Sequence, residues 1–186
     1  SRHISQDKRG NIWLATDNEG IIRISGNARN PKSLKYKQYN PDHHNFAIDD
    51  ATACLEDSRG RLWAISKSGG LFLYNKVEDR FEPKNHEYHL PGDRVFTIKE
   101  NENGNLWLTT DYALVNIIWG NDSEKPKDIT YFTSEDGIGN VLFSPNTACK
   151  YGKELFFGSR TSFFSFMPYM KAKLKGNRRP KRVITD

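Results

Sequence analysis

Four copies of one short pattern dominate this sequence. Each of the first three copies starts with Asp or Asn and has Gly three positions later. One polar residue follows the Gly, and then come an aliphatic residue and Trp. These copies begin at Asp7, Asp57 and Asn101, and a weaker fourth copy occupies residues 152–159. Their central aromatic residues are Trp13, Trp63, Trp107 and Phe156. These aromatics lie 50, 44 and 49 residues apart, and such spacing is typical of β-propeller blades.

Each copy predicts a set of four strands. One strand enters the turn, the Asp-x-x-Gly or Asn-x-x-Gly segment reverses the chain, and a second strand leaves through the aromatic residue. Gly suits the positive φ of such a turn, and the Asp or Asn side chain can accept hydrogen bonds from backbone amides just downstream. Third strands are predicted over 21–24 and 71–74, and a fourth near Phe81. We therefore predict an all-β chain, a β-propeller of about four blades with four antiparallel strands each.

The shared register also predicts the core. The four central aromatic residues, Phe156 included, should pack between neighbouring blades, because a propeller blade buries both faces of its sheet. Ile4, Cys54, Ile98 and Cys149 are predicted at equivalent positions, which favours buried apolar roles for both cysteines over a disulfide or a reactive thiol. Neither cysteine has a second Cys or a suitably spaced His nearby, so we predict no metal site and no cofactor.

The net charge of +5 comes from one end of the chain. Residues 171–182 hold seven Lys or Arg residues and no acid, so the rest carries −2. This distribution argues against nucleic acid as a partner, since phosphate contacts need clustered basic residues on the folded body. No apolar run approaches the roughly 20 residues of a membrane span, and the first residues have no signal-peptide pattern. A membrane connection is therefore expected only through a downstream segment.

The pattern Asp-x-x-Gly-x-hydrophobic-Trp-hydrophobic-x-Thr/Ser, followed by Gly-hydrophobic, resembles the two-component regulator propeller repeat. The resemblance covers residues 1–170, with departures at Asn101 and Phe156. It implies the periplasmic sensor region of a hybrid two-component system, a class that senses polysaccharide breakdown products. The full protein would then carry a histidine kinase, whereas this chain itself is predicted to have no enzymatic activity.

The segments 136–140, 155–159 and 163–168 are similar to the final blade of that family. This similarity implies that residues 1–170 are the C-terminal part of a propeller. Residues 171–186 would be a basic linker and the start of an immunoglobulin-like domain. Because rings of the family are larger than four blades, we expect a partial ring. Its uncovered end blades, near Ile4 to Ile24 and Leu155 to Phe166, are expected to associate with other copies, for example as a homodimer.

One stretch invites a catalytic or metal-binding interpretation. Asp42, His43 and His44 could bind a metal or move protons, with His86 and His89 as further members. A solvated loop after Pro41 is the favoured interpretation, because adjacent residues point apart in an extended chain and no third ligand is placed. We therefore predict no catalytic residues, and a propeller lyase stays as the less favoured alternative.

A binding role needs no such chemistry, since propeller loops can hold a ligand or a partner. Aromatic residues outside the repeat are the informative ones for a sugar. We predict ligand contacts at Tyr112, at Trp119 and in the loop Asp42, His43, His44 and Asn45. Covering an edge of its own blade is the competing role for Trp119. The sequence thus predicts a non-catalytic periplasmic sensor of an oligosaccharide, with a protein-interaction scaffold as the alternative.

Overall fold

A computed structural model describes residues 2–47, 49–120, 125–136, 138 and 142–168, together with the backbone of 181–184. Within these residues the chain forms four sheets of four strands each. Sheet 1 contains β1 (His3–Gln6), β2 (Ile12–Ala15), β3 (Ile21–Ser25) and β4 (Lys35–Tyr39). Sheet 2 contains β5 (Ala51–Glu56), β6 (Leu62–Ser66), β7 (Gly70–Asn75) and β8 (Arg80–Pro83). Sheet 3 contains β9 (Val95–Glu100), β10 (Leu106–Thr110), β11 (Leu114–Trp119) and β12 (Pro126–Phe132). Sheet 4 contains β13 (Phe143–Tyr151), β14 (Glu154–Ser159), β15 (Ser162–Phe166) and β16 (Lys181–Ile184).

In every sheet each strand lies beside the next one in sequence, so each sheet is an antiparallel meander. Short 3₁₀ turns occur at Pro31–Ser33, Pro41–His43 and Ser134–Asp136. The prediction of an all-β chain with four four-stranded blades is therefore confirmed. The chain divides into two compact units, Ser1–Val95 with sheets 1 and 2 and Phe96–Asp186 with sheets 3 and 4.

In sheets 1 to 3 the turn between the first two strands has the predicted geometry, as sheet 1 illustrates. Asp7 Oδ1 accepts hydrogen bonds from the amides of Arg9 at 3.0 Å and Asn11 at 2.8 Å. Gly10 has a φ of 85°, which a side chain would disfavour. Its amide donates to the carbonyl oxygen of Asp7 at 3.0 Å. The acidic residue and the glycine therefore act together to close the turn.

The three repeated tryptophans are core residues, as predicted, whereas the fourth central aromatic, Phe156, is only half-buried. Trp13, Trp63 and Trp107 are 2%, 0% and 0% exposed. In the first unit β5 packs against β1 and β2, and Trp13 lies between the two sheets. Its ring centroid is 5.7 Å from that of Tyr39 and 6.1 Å from that of Phe81. In the second unit Trp107 packs 4.6 Å from Phe166, in a cluster completed mainly by residues of sheet 4.

The prediction for Cys149 is wrong. Cys54 is fully buried, as expected, and burial raises the pKa of its thiol to about 12. Cys149 is exposed. The difference comes from the hairpin between β13 and β14, which turns tightly around Gly152 at a φ of 57° instead of using the Asp-x-x-Gly turn.

This shorter turn changes the strand register by one residue. In sheet 2, Cys54 is paired with Ala64, the residue after the central Trp. In sheet 4 the residue after the central Phe156 is Phe157, and it is paired with Ala148. A one-residue shift moves a side chain to the opposite face of a sheet. Ala148, and not Cys149, is thus the equivalent of Cys54.

The expected domain boundary falls on a part of the chain that is only sparsely described. Residues 169–180, which hold most of the basic segment, lie outside the described residues. The backbone of β16 (Lys181–Ile184) pairs with β15 and supplies the fourth strand of sheet 4. A linker and an immunoglobulin-like domain over 171–186 stay a prediction, as does the partial ring. No helix among the described residues is long and apolar enough to cross a membrane.

Candidate functional site

A cleft of about 240 Å³ opens between sheets 1 and 2, beside the turns that link β1 to β2 and β7 to β8. We call it the blade 1–2 cleft. Charged and polar side chains line it around two aromatic rings. The lining residues are Asp7, Arg9, Asn11, Trp13, Arg23, Glu56, Leu62, Tyr74, Lys76 and Asp79. Both sheets belong to the first unit, so the cleft is a feature of one compact body.

Asp79 organises the wall of this cleft. It lies in the tight turn from β7 to β8 with a φ of 50°, a left-handed conformation that Asp tolerates better than most residues. Its Oδ1 accepts hydrogen bonds from Tyr39 Oη at 2.8 Å and from Tyr74 Oη. Its Oδ2 accepts from Lys37 Nζ, and Arg23 Nη1 lies 3.6 Å from Oδ1. One carboxylate from sheet 2 thus binds three side chains from sheet 1.

The ionisation of this network follows from its contacts. Burial alone would raise the pKa of Asp79, but hydrogen bonds from Lys37, Tyr74 and Tyr39 and the charge of Arg23 outweigh it and lower the pKa to about 2. Burial raises the pKa of Tyr39 and of Tyr74, and Asp79 reinforces both shifts. At neutral pH the carboxylate is therefore anionic and both phenols are protonated, which fixes the phenols as donors.

Arg23 is held against the aromatic side of the cleft. Its guanidinium carbon lies 5.6 Å from the ring centroid of Trp13 and 5.7 Å from that of Tyr39, within the range of cation–π attraction. Nη1 donates to Tyr74 Oη at 3.1 Å. The side chain keeps 26% of its surface exposed. Arg23 is thus fixed at one corner and still open to the cleft.

The loop predicted to contact a ligand lies elsewhere in the first unit. Asp42 and His43 belong to the 3₁₀ turn Pro41–His43, and both are exposed, as is His44. Asn45 is half-buried, and its side chain serves the backbone by accepting from Asn40 N at 2.9 Å and donating to Gln38 O at 3.1 Å. Asn45 therefore shapes the loop, while the three residues before it face solvent.

The two predicted aromatic contacts are not brought together. Tyr112 lies in the turn before β11 and is 72% exposed. Trp119 is the last residue of that strand and is 6% exposed, so it offers little ring surface to a ligand. A strand rises about 3.4 Å per residue, which places the two residues roughly 20 Å apart along β11. One sugar ring cannot contact both.

The lyase alternative requires a His and a carboxylate in one pocket. His44 and Glu82 do line a second, more open cleft in the first unit, together with Phe46 and Phe81. Glu82 Oε1, however, accepts hydrogen bonds from Asn75 at 3.0 Å and from Arg80. The hydrogen bond from Asn75 is the largest cause of a lowered pKa at Glu82, which makes this carboxylate a poorer base. The described residues contain no group of three or more His, Cys, Asp or Glu side chains placed to bind a metal.

The blade 1–2 cleft is not predictable from the sequence motifs. Arg23, Tyr74 and Asp79 belong to strands and turns that carry no special local motif. The only signal was indirect: a carboxylate in the polar stretch 75–80 and a cation in the third strand of the preceding blade. Arg23 and Asp79 are 56 positions apart in the sequence, so their side chains come into contact only when the sheets pack.

Comparison with known proteins supports the propeller interpretation. The model of the two component regulator propeller family matches residues 1–18 and 89–112, which confirms the resemblance found in the repeat. Histidine kinase P4 of Formosa agariphila is 24% identical over 182 residues, covering 97% of this chain and 13% of that protein. The chain therefore spans a small part of this relative.

Solved structures show the same fold. The extracellular domain of a putative hybrid two component system of B. thetaiotaomicron matches with a TM-score of 0.75 and 20% identity, covering 95% of this chain and 22% of that one. Virginiamycin B lyase of Staphylococcus aureus matches with a TM-score of 0.61 and 14% identity, covering 99% of this chain and 55% of that one. Sensor regions and a lyase thus share the propeller fold, and the fold alone does not separate them.

Proposed function

We propose that this chain is part of the periplasmic ligand-binding region of a two-component signalling protein. Its ligand in this proposal is an oligosaccharide, which it binds without chemical change. The support is the two component regulator propeller match, together with similarity to a histidine kinase and to the extracellular domain of a hybrid two component system.

The observation that carries the proposal is the composition of the blade 1–2 cleft. Polar side chains that can donate or accept hydrogen bonds surround the half-buried ring of Tyr74. A sugar presents hydroxyl groups around its ring and apolar C–H faces, so it suits a site with many polar groups beside aromatic surface. Ligand sites commonly combine an apolar surface with a few fixed polar groups in this way.

The shifted pKa values of Asp79, Tyr39 and Tyr74 favour binding over catalysis. A general base works best when its pKa lies near the working pH, whereas the pKa of Asp79 is about 2. Tyr39 and Tyr74 have raised pKa values and are poor proton donors at neutral pH. Asp79, Tyr39 and Tyr74 are instead held in fixed protonation states, which suits the recognition of hydroxyl groups.

Signalling would follow from stabilisation of the cleft. Its walls come from two sheets, and a ligand that contacts both favours the arrangement in which they are packed. In the complete receptor this preference would pass to the following immunoglobulin-like domain and then to the kinase. Binding without turnover is sufficient for such a role.

The test is a thermal-shift screen of the chain with neutral and acidic oligosaccharides, followed by titration calorimetry of each positive compound. The recovered carbohydrate is then analysed by mass spectrometry. We expect at least one oligosaccharide to raise the melting temperature and to be recovered unchanged. A shortened or unsaturated product would contradict the non-catalytic role, and a screen in which no carbohydrate binds would contradict oligosaccharide sensing.

Two exposed tyrosines provide a matched test of the sequence prediction at Tyr112. Tyr112 is 72% exposed and Tyr36 is 83% exposed, and only Tyr112 was predicted to contact a ligand. If Tyr112 stacks on sugar, Tyr112→Ala weakens binding and Tyr36→Ala leaves it unchanged. If the ligand occupies the blade 1–2 cleft alone, neither substitution changes the Kd.

A further inference from the structure

The blade 1–2 cleft has as many acidic as basic side chains. The two sets differ in how many of their hydrogen-bonding atoms already have partners within the protein. Asp7 Oδ1 accepts from two backbone amides, and its Oδ2 accepts from Asn11 Nδ2 at 2.8 Å and from Trp13 Nε1 at 2.9 Å. Asp79 binds two phenols and Lys37. These two carboxylates are thus occupied by partners within the protein.

Glu56 is the third acid of the cleft. Its Oε2 accepts the backbone amide of Lys8 at 2.5 Å. Its other oxygen, Oε1, can still accept a hydrogen bond, as far as the described residues are concerned. Glu56 can therefore accept from a hydroxyl group of a ligand.

The basic groups are less fully used. Lys76 Nζ donates to the carbonyl oxygen of Gly60 at 2.8 Å, and its charge has no carboxylate partner among the described residues. Arg9 forms its one hydrogen bond in the described chain through the backbone amide, which leaves the guanidinium available. Arg23 has five N–H donors, of which those on Nη1 face Tyr74 and Asp79. Most of the hydrogen-bonding groups of the cleft that remain available to a ligand are therefore cationic donors.

Arg23 is also well prepared to bind an anion. The rings of Trp13 and Tyr39 and the contact with Tyr74 hold its guanidinium in place, so little side-chain freedom is lost when a ligand arrives. A guanidinium fork matches a planar carboxylate through two parallel hydrogen bonds. Lys76 and Arg9 line the same cleft and add positive charge.

We propose that the blade 1–2 cleft binds the carboxylate of a uronic acid within an acidic oligosaccharide, with Arg23 as the anchor. Lys76 and Arg9 strengthen the attraction, and Glu56 accepts a hydroxyl group of the same ligand. This inference rests on the proposed function and adds the class of sugar to it. A neutral sugar would leave Lys76 and Arg9 without a carboxylate partner among the described residues.

The experiment measures dissociation constants by titration calorimetry with the whole chain. The probes are α-1,4-linked trigalacturonate and cellobiouronic acid, each beside the neutral oligosaccharide of the same linkage. We expect at least one acidic probe to bind at least about tenfold more tightly than its neutral counterpart, as one charge-assisted hydrogen-bonded pair can supply. Raising the salt concentration should weaken the acidic probe and spare the neutral one.

Variants locate the site. We expect Arg23→Gln to weaken acidic binding about tenfold or more, and Lys76→Gln to weaken it by a smaller factor, since Lys76 supplies charge without a fixed fork. Arg29→Gln is the matched control, because Arg29 is an exposed cation outside the cleft. Lys76 is exposed and its substitution leaves the fold intact, so this variant tests the site even if Arg23→Gln unfolds the unit.

The outcomes separate this inference from the proposed function. Equal affinity for acidic and neutral probes overturns the acidic preference and leaves oligosaccharide sensing in place. Tight acidic binding that is unchanged in both Arg23→Gln and Lys76→Gln overturns the assignment to this cleft. If no carbohydrate of the broader screen binds, both proposals fail.

Discussion

Trp63 donates its indole Nε1–H to Asp57 Oδ2 at 2.9 Å, and Trp13 makes the same bond to Asp7 Oδ2, also at 2.9 Å. The first residue of the turn therefore does more than close the turn. It also fixes the tryptophan six positions later, at the centre of the blade. The turn and the core of each of these blades are joined by one carboxylate.

The third blade lacks this bond. Asn101 Oδ1 accepts the amides of Asn103 at 3.0 Å and Asn105 at 2.9 Å, so its NH2 group occupies the position of the missing oxygen. Trp107 Nε1 is buried and has no hydrogen-bond partner among the described residues. Two donors thus face each other, and an unpaired buried donor costs about 1 to 3 kcal/mol.

We predict that Asn101→Asp stabilises the third blade by about 1 kcal/mol, which is about 4 °C in melting temperature for a unit of this size. The new carboxylate would accept from Trp107 Nε1, as Asp57 does from Trp63. Calorimetry at neutral pH checks the change. Asn103→Asp adds the same charge at an exposed turn residue and should have little effect. Equal shifts for both variants would show that charge, and not the indole bond, is responsible.

The reverse change should be costly where the carboxylate is most buried. Asp57 is 0% exposed and also binds Arg61 Nε at 2.7 Å. Asp57→Asn would leave Arg61 and Trp63 facing an amide donor, and we expect a loss of about 3 kcal/mol. Asp7 is half-buried and has neutral partners, so Asp7→Asn should cost only about 1 kcal/mol. Urea unfolding of both variants measures the difference, and equal losses would contradict this explanation.

The repeat was readable from the sequence because its determinants are local. Asp7 and Trp13 are six positions apart, so one short motif contains both the turn and the core residue. The blade 1–2 cleft was not readable, since Tyr74 and Arg23 meet only after two sheets pack. The misplacement of Cys149 has a third cause. A turn of different length changes the register, and burial in a strand depends on register as much as on residue type.

Asp79 should make the first unit sensitive to acid. Its pKa is lowered from 3.8 to about 2, so the folded state holds the proton less tightly than the unfolded state. The contribution of Asp79 to the free energy of unfolding is therefore fully present above its pKa in the unfolded state. It is lost as the pH falls from about 4 towards 2. We predict that Asp79→Asn lowers stability at pH 7 and flattens the decline of melting temperature over this range. A variant with the same acid slope as the parent would contradict the assignment.

The two cysteines should react very differently. Cys149 is exposed, whereas Cys54 is buried with a pKa of about 12. Because the thiolate is the reactive form, a thiol reagent at pH 8 should modify one cysteine quickly and the second only after unfolding. Cys149→Ser should remove the fast phase and Cys54→Ser should leave it intact. A fast phase that survives Cys149→Ser would come from Cys54 and would contradict the burial of that thiol.

The final prediction concerns the end blades. In sheet 2, one face is buried against Trp13 and Ile21 of sheet 1, and the residues on that buried face include Cys54, Leu62, Ala64 and Phe72. By strand register, the equivalent residues of sheet 1 are Ile4, Ile12, Leu14 and Ile22. These four are apolar but exposed or half-buried, with Ile4 at 64%. Sheet 1 therefore presents the same kind of face that its neighbour buries.

Sheet 4 offers a matching surface. By register, its equivalents of Trp13 and Ile21 are Phe156 and Phe163, which are half-buried. We expect copies of the chain to associate by packing sheet 4 of one copy on sheet 1 of the next, so the measured mass should rise with concentration. Light scattering after gel filtration at several concentrations measures this.

Leu14→Lys should lower the mass towards the monomer, because it places a charge in the contact. Leu34→Lys, at an exposed loop position, should not. A monomer at every concentration, or equal behaviour of the two variants, would show that these faces do not bind each other.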